Sequence, residues 1–206
     1  MGPNNSPSPA RRREPAVIET ERLTLRPLTR DDVDLLVTLH ADPEVTRFVP
    51  TFTRAQANER LTEIERQWAE RGHGLCAVEL KDTGEFIGRC GLNYWEVFDE
   101  VEAGWTFRRS SWGHGYATEA ARACVEWGFQ RLDVPYFTSM IDPANTASAR
   151  VAQRLGFTPQ REDHFLGHDV TVYALHRRAH AAHRPGDENP HRPGQENPHR
   201  PGRERE

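Results

Sequence analysis

The stretch Trp112-Gly113-His114-Gly115-Tyr116-Ala117-Thr118-Glu119-Ala120 sets two glycines one residue apart just ahead of a helix-forming run. A turn of this kind lets several backbone N–H groups converge on one point, and the positive end of the helix dipole adds to their pull on an anion. Pyrophosphate is the group such a seat suits. An ordinary tight turn before a helix would carry the same residues, because short glycine patterns also arise by chance. Further along, Asn145-Thr146-Ala147-Ser148-Ala149-Arg150-Val151-Ala152-Gln153-Arg154-Leu155-Gly156-Phe157 reads as a capped helix. Asn145 suits the N-cap, Ala147, Val151, Ala152 and Leu155 make an apolar face, and Gly156 suits a left-handed stop.

These residues need a frame, and the pattern between them alternates. Arg22–Leu28 reads as a first strand. Thr29 with Asp32, and Thr53 with Gln56, look like capping starts of two helices. The second helix carries Ala57, Leu61, Ile64 and Trp68 on one stripe and ends near Gly72. Leu75–Leu80 and Phe86–Leu92 form a hairpin about the turn Asp82-Thr83-Gly84. In the next strand Val101, Ala103, Trp105 and Phe107 share one face, while Glu102, Gly104 and Thr106 share the other. Ala117–Leu132 is an amphipathic helix, Tyr136–Ile141 a strand, Asn145–Leu155 a helix and Val170–His176 a last strand. Strands interleaved with helices give an α/β fold with a mixed sheet.

With 206 residues, the chain suggests one domain of ordinary size with something extra. Residues 1–14 and 178–206 are expected to be disordered, leaving 15–177 as the domain. The first segment is rich in Pro, Asn and Ser. The tail repeats His-Arg-Pro-Gly every eight residues and has almost no apolar side chains to bury. His183, His191 and His199 could bind a metal, but a floppy chain preorganises them poorly, and no metal is expected. No run approaches a membrane span, and no apolar segment follows the N-terminal charges, so neither membrane nor secretion is expected. Cys76, Cys90 and Cys124 lie far apart in apolar stretches and read as reduced thiols of a cytoplasmic protein. Residues 15–176 hold 17 basic and 25 acidic groups, which argues against nucleic acid and favours a cationic acceptor.

Three pieces together resemble the GNAT acetyltransferase superfamily, in particular its RimJ/RimL-type branch. They are the glycine turn with its Gly-Tyr-Ala-Thr-Glu-Ala helix start, Asn145-x-x-Ser148 followed by Leu155-Gly156-Phe157, and the opening Glu21-Arg22-Leu23-Thr24-Leu25-Arg26-Pro27-Leu28. The resemblance runs from about residue 17 to about 177, in the family's order. It implies a single GNAT-like domain: a mixed, mostly antiparallel sheet of about seven strands, splayed between strands 4 and 5 and flanked by about four helices. It also implies acetyl-coenzyme A (acetyl-CoA) as cosubstrate, a primary amine as acceptor and direct attack in a ternary complex. The acceptor would be a protein N-terminal α-amine or a small molecule. A homodimer is compatible with it.

On the family's pattern, the N–H groups of Gly113, His114, Gly115, Tyr116 and Ala117 would face the pyrophosphate, with the Thr118 hydroxyl beside them. The family often has Gln or Arg three residues before the first glycine. Here that residue is Ser110, and Arg108 and Arg109 could compensate. The pantetheine arm would pair with main chain around Phe107 and Arg108, and an N–H near Trp105 to Phe107 would take the oxyanion. Ser148 corresponds to the group that protonates the thiolate. Asn145 would bond the cofactor's amide or order the site, although cap and strand contact explain both residues equally well. Glu102 is the candidate base, or else a solvated strand carboxylate. A glutamate that some relatives use is replaced by Gln160. Trp95 and Glu96, with Phe98, Asp99 and Glu100, could line an amine groove or form an exposed loop. Trp112 and Tyr116 are expected to pack around the turn. The alternative to an enzyme is an acyl-CoA-binding sensor or interaction module without turnover.

Overall fold

The structure is a computed structural model and describes residues 17–165 and 167–182. Eight strands join in one sheet: β1 (Ile18–Glu19), β2 (Leu23–Pro27), β3 (Leu75–Leu80), β4 (Phe86–Trp95), β5 (Glu100–Phe107), β6 (Tyr136–Ile141), β7 (Thr158–Phe165) and β8 (His168–His176). Their order is β1-β2-β3-β4-β5-β6-β8-β7, and every pair is antiparallel except β5 with β6. That parallel pair matches at a single position, Glu102 opposite Thr138. Beyond it the strands part, which is the expected splay between the fourth and fifth long strands. The eighth strand is the two-residue β1, too short to show any alternation in sequence.

Helices α1 (Val33–Leu39) and α2 (Arg54–Arg71) cover one face. The Thr53–Gln56 capping box starts α2 as expected, and Gly72 ends it at φ 73°. Ala57, Leu61 and Ile64 are buried against Leu75, Ala77 and Phe86, the stripe read from the sequence. Gln67, on the same helix, is buried. Its amide donates to Tyr94 O (3.1 Å) and accepts from Tyr94 N (3.0 Å), pinning the end of β4. The Thr29–Asp32 capping box opens a short 3-10 turn, Arg30–Asp32, ahead of α1. Asp32 also receives two bonds from Arg26 (2.9 and 2.8 Å), and these hold its carboxyl below the usual range in spite of burial.

The other face carries α3 (Tyr116–Arg131) and α4 (Thr146–Arg154). Ala120, Ala121, Cys124 and Gly128 of α3 lie in the core with Leu92, Ala103 and Phe137. Close approach explains Gly128: a β-carbon there would come within 2.4 Å of Leu92 Cδ1 and 2.7 Å of Phe137 Cζ. The three cysteines, distant in sequence, share this core. Burial and their mutual contact push Cys76 and Cys90 far above the usual thiol range, so neither supplies a thiolate. A fifth helix, α5 (Arg177–Ala182), begins at the boundary drawn at residue 177. The N-terminal segment 1–14 and the histidine repeat from residue 183 lie outside the described residues, and the described residues contain no cluster suited to a metal.

Candidate functional site

Gly113 and Gly115 both sit at φ 81°, the left-handed region, and Gly115 is the N-cap of α3. Alternating handedness of this kind turns successive N–H groups to one side. The first backbone bond of the helix runs from Glu119 N to Gly115 O (3.1 Å). Among the described residues, no N–H from Gly113 to Thr118 donates to a protein atom. Six donors at the positive end of a 16-residue helix are thus left to an outside acceptor.

The turn is tied to the start of the chain. Arg22 Nη1 donates to His114 O (3.1 Å), and its Nε donates to Glu119 Oε2 (2.7 Å). Glu119 Oε1 accepts from Thr20 Oγ1 (2.6 Å) and Arg22 N (3.0 Å), which together hold its carboxyl below the usual range. Two motifs noted separately in the sequence are therefore one contact. The His114 ring donates from Nδ1 to Trp112 O (2.9 Å) and stacks on Tyr116 at 5.5 Å. Trp112 Nε1 in turn donates to Phe107 O (2.9 Å), so Trp112 and Tyr116 pack around the turn. Ser110 and Arg109 lie in a 3-10 turn beside it, on a cleft they share with Thr38, Asp42 and Arg108.

Two main-chain groups expected to receive a pantetheine arm have protein partners: Phe107 O has Trp112, and Arg108 N donates to Ile87 O (2.8 Å). The strand edge that the splay leaves without a neighbour lies earlier, from Ala103 to Thr106. Arg108 stretches over Phe86 toward Glu85 (3.5 Å), and its buried Nε has no partner among the described residues.

Glu102 lies where β5 and β6 part. Its carboxylate accepts from Trp95 Nε1 (2.6 Å) and Met140 N (3.3 Å). Burial pushes its pKa up; the Trp95 and Met140 bonds and the charges of Arg89 and Arg60 offset only part of that. Trp95 packs edge-on against Phe165 (4.7 Å), and Phe98 meets Phe165 at 5.2 Å. An aromatic wall thus stands beside the carboxylate. Glu96 is not part of it: Arg66 of α2 holds it outward at 3.1 Å. Asp99 accepts from Tyr94 OH (2.5 Å), and buried Glu100 takes two bonds from Arg161 (3.2 and 3.1 Å). Phe165 and Arg161 were not singled out in the sequence, since β7 is nearly all exposed and carries no alternation to mark it.

Behind Glu102 lies a buried polar layer. His40, 1% exposed, donates from Nδ1 to Pro50 O (2.6 Å), accepts from Arg89 Nε (3.4 Å) and packs on Phe52. Burial, with Arg89 and Arg60 nearby, lowers its pKa from 6.5 to about 4. In the unfolded chain the imidazole takes a proton below pH 6.5, while the folded chain resists until about pH 4. Between those values the unfolded state binds more protons, so stability falls as pH falls, by about 3 kcal/mol over the window. We expect urea unfolding at pH 7 and pH 4.5 to show a smaller difference for His40→Gln than for the wild type. Equal differences would remove His40 as the cause.

Asn145 Oδ1 accepts from Ser148 N (3.1 Å), the capping bond that starts α4. Neither the Ser148 hydroxyl nor the Asn145 NH2 group has a protein partner among the described residues. Gln160 sits at a bulge in the edge strand β7, and its amide is turned onto Thr158 (3.0 Å).

The sequence model of the acetyltransferase (GNAT) domain matches residues 22–158. An uncharacterized Bacillus subtilis protein, YkkB, is 38% identical over 162 residues, which cover 75% of this chain and 92% of that protein. The crystal structure of an acetyltransferase from Agrobacterium tumefaciens is 33% identical, with a TM-score of 0.70 over 85% of this chain and 100% of that one. RimL, a ribosomal L7/L12 alpha-N-protein acetyltransferase solved with coenzyme A, shares the fold at a TM-score of 0.67 and 19% identity, over 78% of this chain and 98% of its own.

Proposed function

Because the chain belongs to the GNAT acetyltransferase family, we propose that it stands on the RimJ/RimL-like side and moves an acetyl group from acetyl-CoA to a primary amine by direct attack. The observation that carries this reading is the row of unpartnered N–H groups from Gly113 to Thr118 at the head of α3. In the reaction, the amine nitrogen bonds to the thioester carbonyl carbon, the C–S bond breaks and the coenzyme A thiolate leaves. Gly113, His114, Gly115, Tyr116 and Ala117 would hold the pyrophosphate, with Thr118 assisting. The edge of β5 from Ala103 to Thr106 would take the pantetheine amides as an added strand and supply the N–H for the developing oxyanion. Glu102 would accept the amine's proton, and Ser148 would give one to the thiolate. Its free hydroxyl, one turn into α4, supports that role.

Acceptor basicity decides how much base is needed. An α-amine titrates at about 7.7–8.0, whereas a lysine side chain, at about 10.4, costs about 3–5 kcal/mol to deprotonate at about pH 7–8. The α-amine asks least of the base, which favours the first class for this chain. Thiol release from acetyl-CoA across a panel of peptide and small-molecule amines tests the reading. Tight cofactor binding with release no faster than hydrolysis for every amine would leave a binding module instead. Ser148→Ala should lower kcat by about 100-fold, the low end for a general acid, because water can substitute. Cofactor affinity should stay within about twofold, because the substitution touches no donor of the turn. An equal fall in both would make Ser148 structural.

A further inference from the structure

Beyond its two neutral hydrogen-bond donors, the charges that act on the Glu102 carboxylate are cations, those of Arg89 and Arg60. Register sets Asn93 opposite Glu102, Gly91 opposite Gly104 and Arg89 opposite Thr106. Arg60 reaches in from α2, donating to Asn93 Oδ1 (2.7 Å) with its guanidinium 5.5 Å from the Trp95 ring. Arg89 donates to neutral His40. Both arginines are half-buried, yet neither has a carboxylate within 4.0 Å among the described residues. The other arginines of α2 are paired: Arg54 with Asp34, Arg66 with Glu63, and Arg71 with Glu96. A buried guanidinium without a counter-charge is costly unless something else supplies one.

Gly104 leaves room on this face beside Glu102. Among the described residues other than its chain neighbours, a β-carbon there would meet only the Glu102 carboxylate, at 3.9 Å. We propose that this pocket binds an acceptor carrying its own carboxylate, with the amine over Gly104 beside Glu102 and the carboxylate on Arg60 and Arg89. The assignment rests on the acetyl-transfer reading and names its substrate class. Glu102 ionised beside two guanidinium groups leaves one net positive charge, which a single carboxylate balances. Strand rise sets the spacing: Thr106, opposite Arg89, lies about 7 Å along β5 from Gly104, so the spacer between amine and carboxylate is short. The crowding of positive charge is visible in Arg89, whose pKa burial and Arg60 lower to about 10. An anion would relieve it. The bulk negative charge of the chain pointed to a cationic acceptor. The local pocket refines that to a zwitterion.

Matched pairs of amines test the assignment: glycine against glycinamide, β-alanine against β-alaninamide, and 4-aminobutyrate against its amide. 2-Aminoethyl phosphate is added as a phosphate-bearing acceptor. At one spacer or more, kcat/KM for the carboxylate should exceed that of its amide by at least about tenfold, the worth of one charged hydrogen bond. Arg60→Gln and Arg89→Gln should bring that ratio near one without changing acetyl-CoA affinity. The lysine variants, which keep the charge and cover the case where glutamine variants do not fold, should retain part of the preference. Amides favoured at every spacer, a ratio that survives both glutamine variants, or a phosphate preferred to every carboxylate would each overturn the proposal. If no amine is acetylated, the acetyl-transfer reading fails, and calorimetry still decides this one. The N-acetylated carboxylates should bind the protein–coenzyme A complex more tightly than their amides, and equal binding overturns it.

Discussion

Gly113→Val is expected to reduce acetyl-CoA affinity by about 10²–10⁴-fold, the equivalent of two or three charged hydrogen bonds, and to lower Tm by only a few degrees. The two effects separate because of where the residue sits. At φ 81° a branched side chain is strained, which costs about 1–2 kcal/mol. Among the described residues other than its chain neighbours, no atom lies within 4 Å of the added β-carbon, so the fold itself is not pushed apart. The strain is relieved by rotating the Gly113 and His114 peptides, and their N–H groups turn away from the point they share. Valine's methyl groups also stand in the space where phosphate oxygens would approach. Calorimetric titration of acetyl-CoA reads the loss, and a scanning melt reads the fold. Unchanged affinity would show that the turn does not seat the cofactor, and the enzymatic reading would lose its support.

Glu102→Gln should lower kcat by about 10²–10³-fold with a lysine-like acceptor, in the usual range for a lost general base. The effect should be smaller with an α-amine, because more of that acceptor is already neutral. Wild-type turnover should fall as pH drops through the carboxyl's pKa, which burial places above the ordinary glutamate value. The variant should lack that limb. Stability runs the opposite way to His40. A carboxyl with a raised folded pKa binds its proton more readily folded than unfolded, so its contribution is present below the unfolded pKa and is lost as pH rises through the folded one. Removing the charge should therefore flatten that loss at neutral pH. Glutamine can still accept from Trp95 Nε1, but its NH2 group faces Met140 N–H, so a small Tm change is expected from that mismatch. A pH–rate profile identical to wild type would leave the proton to water or another group.

Local chemistry made much of this readable. The α2 caps at Thr53 and Gly72, the limits of β6 and the Asn145 start of α4 each follow from residues that act on neighbours a few positions away. The glycine turn was legible for the same reason, since left-handed φ at Gly113 and Gly115 is a local property. Features made by long-range contact were not. Arg60, Arg89 and His40 come from a helix, a strand and a helix end, and nothing in their spacing links them. Phe165 reaches Trp95 only because β7 and β8 fold back on the sheet, and β7's polar surface hides that hairpin. Glu96 and Trp95 are adjacent in sequence but point to different partners, because side chains alternate along a strand end. The pairing of Phe107 O with the Trp112 indole likewise depends on where the chain turns after β5.

The contact of Arg22 with His114 and Glu119 has a practical corollary for anyone preparing shortened versions of this chain. A fragment trimmed to begin at Leu23 would lose β1 but keep strands β2 to β8 and every group proposed to touch the acetyl donor. It would nevertheless have lost the clasp that holds the loop ahead of α3, so weak donor binding by such a fragment would report on the cut rather than on the native enzyme.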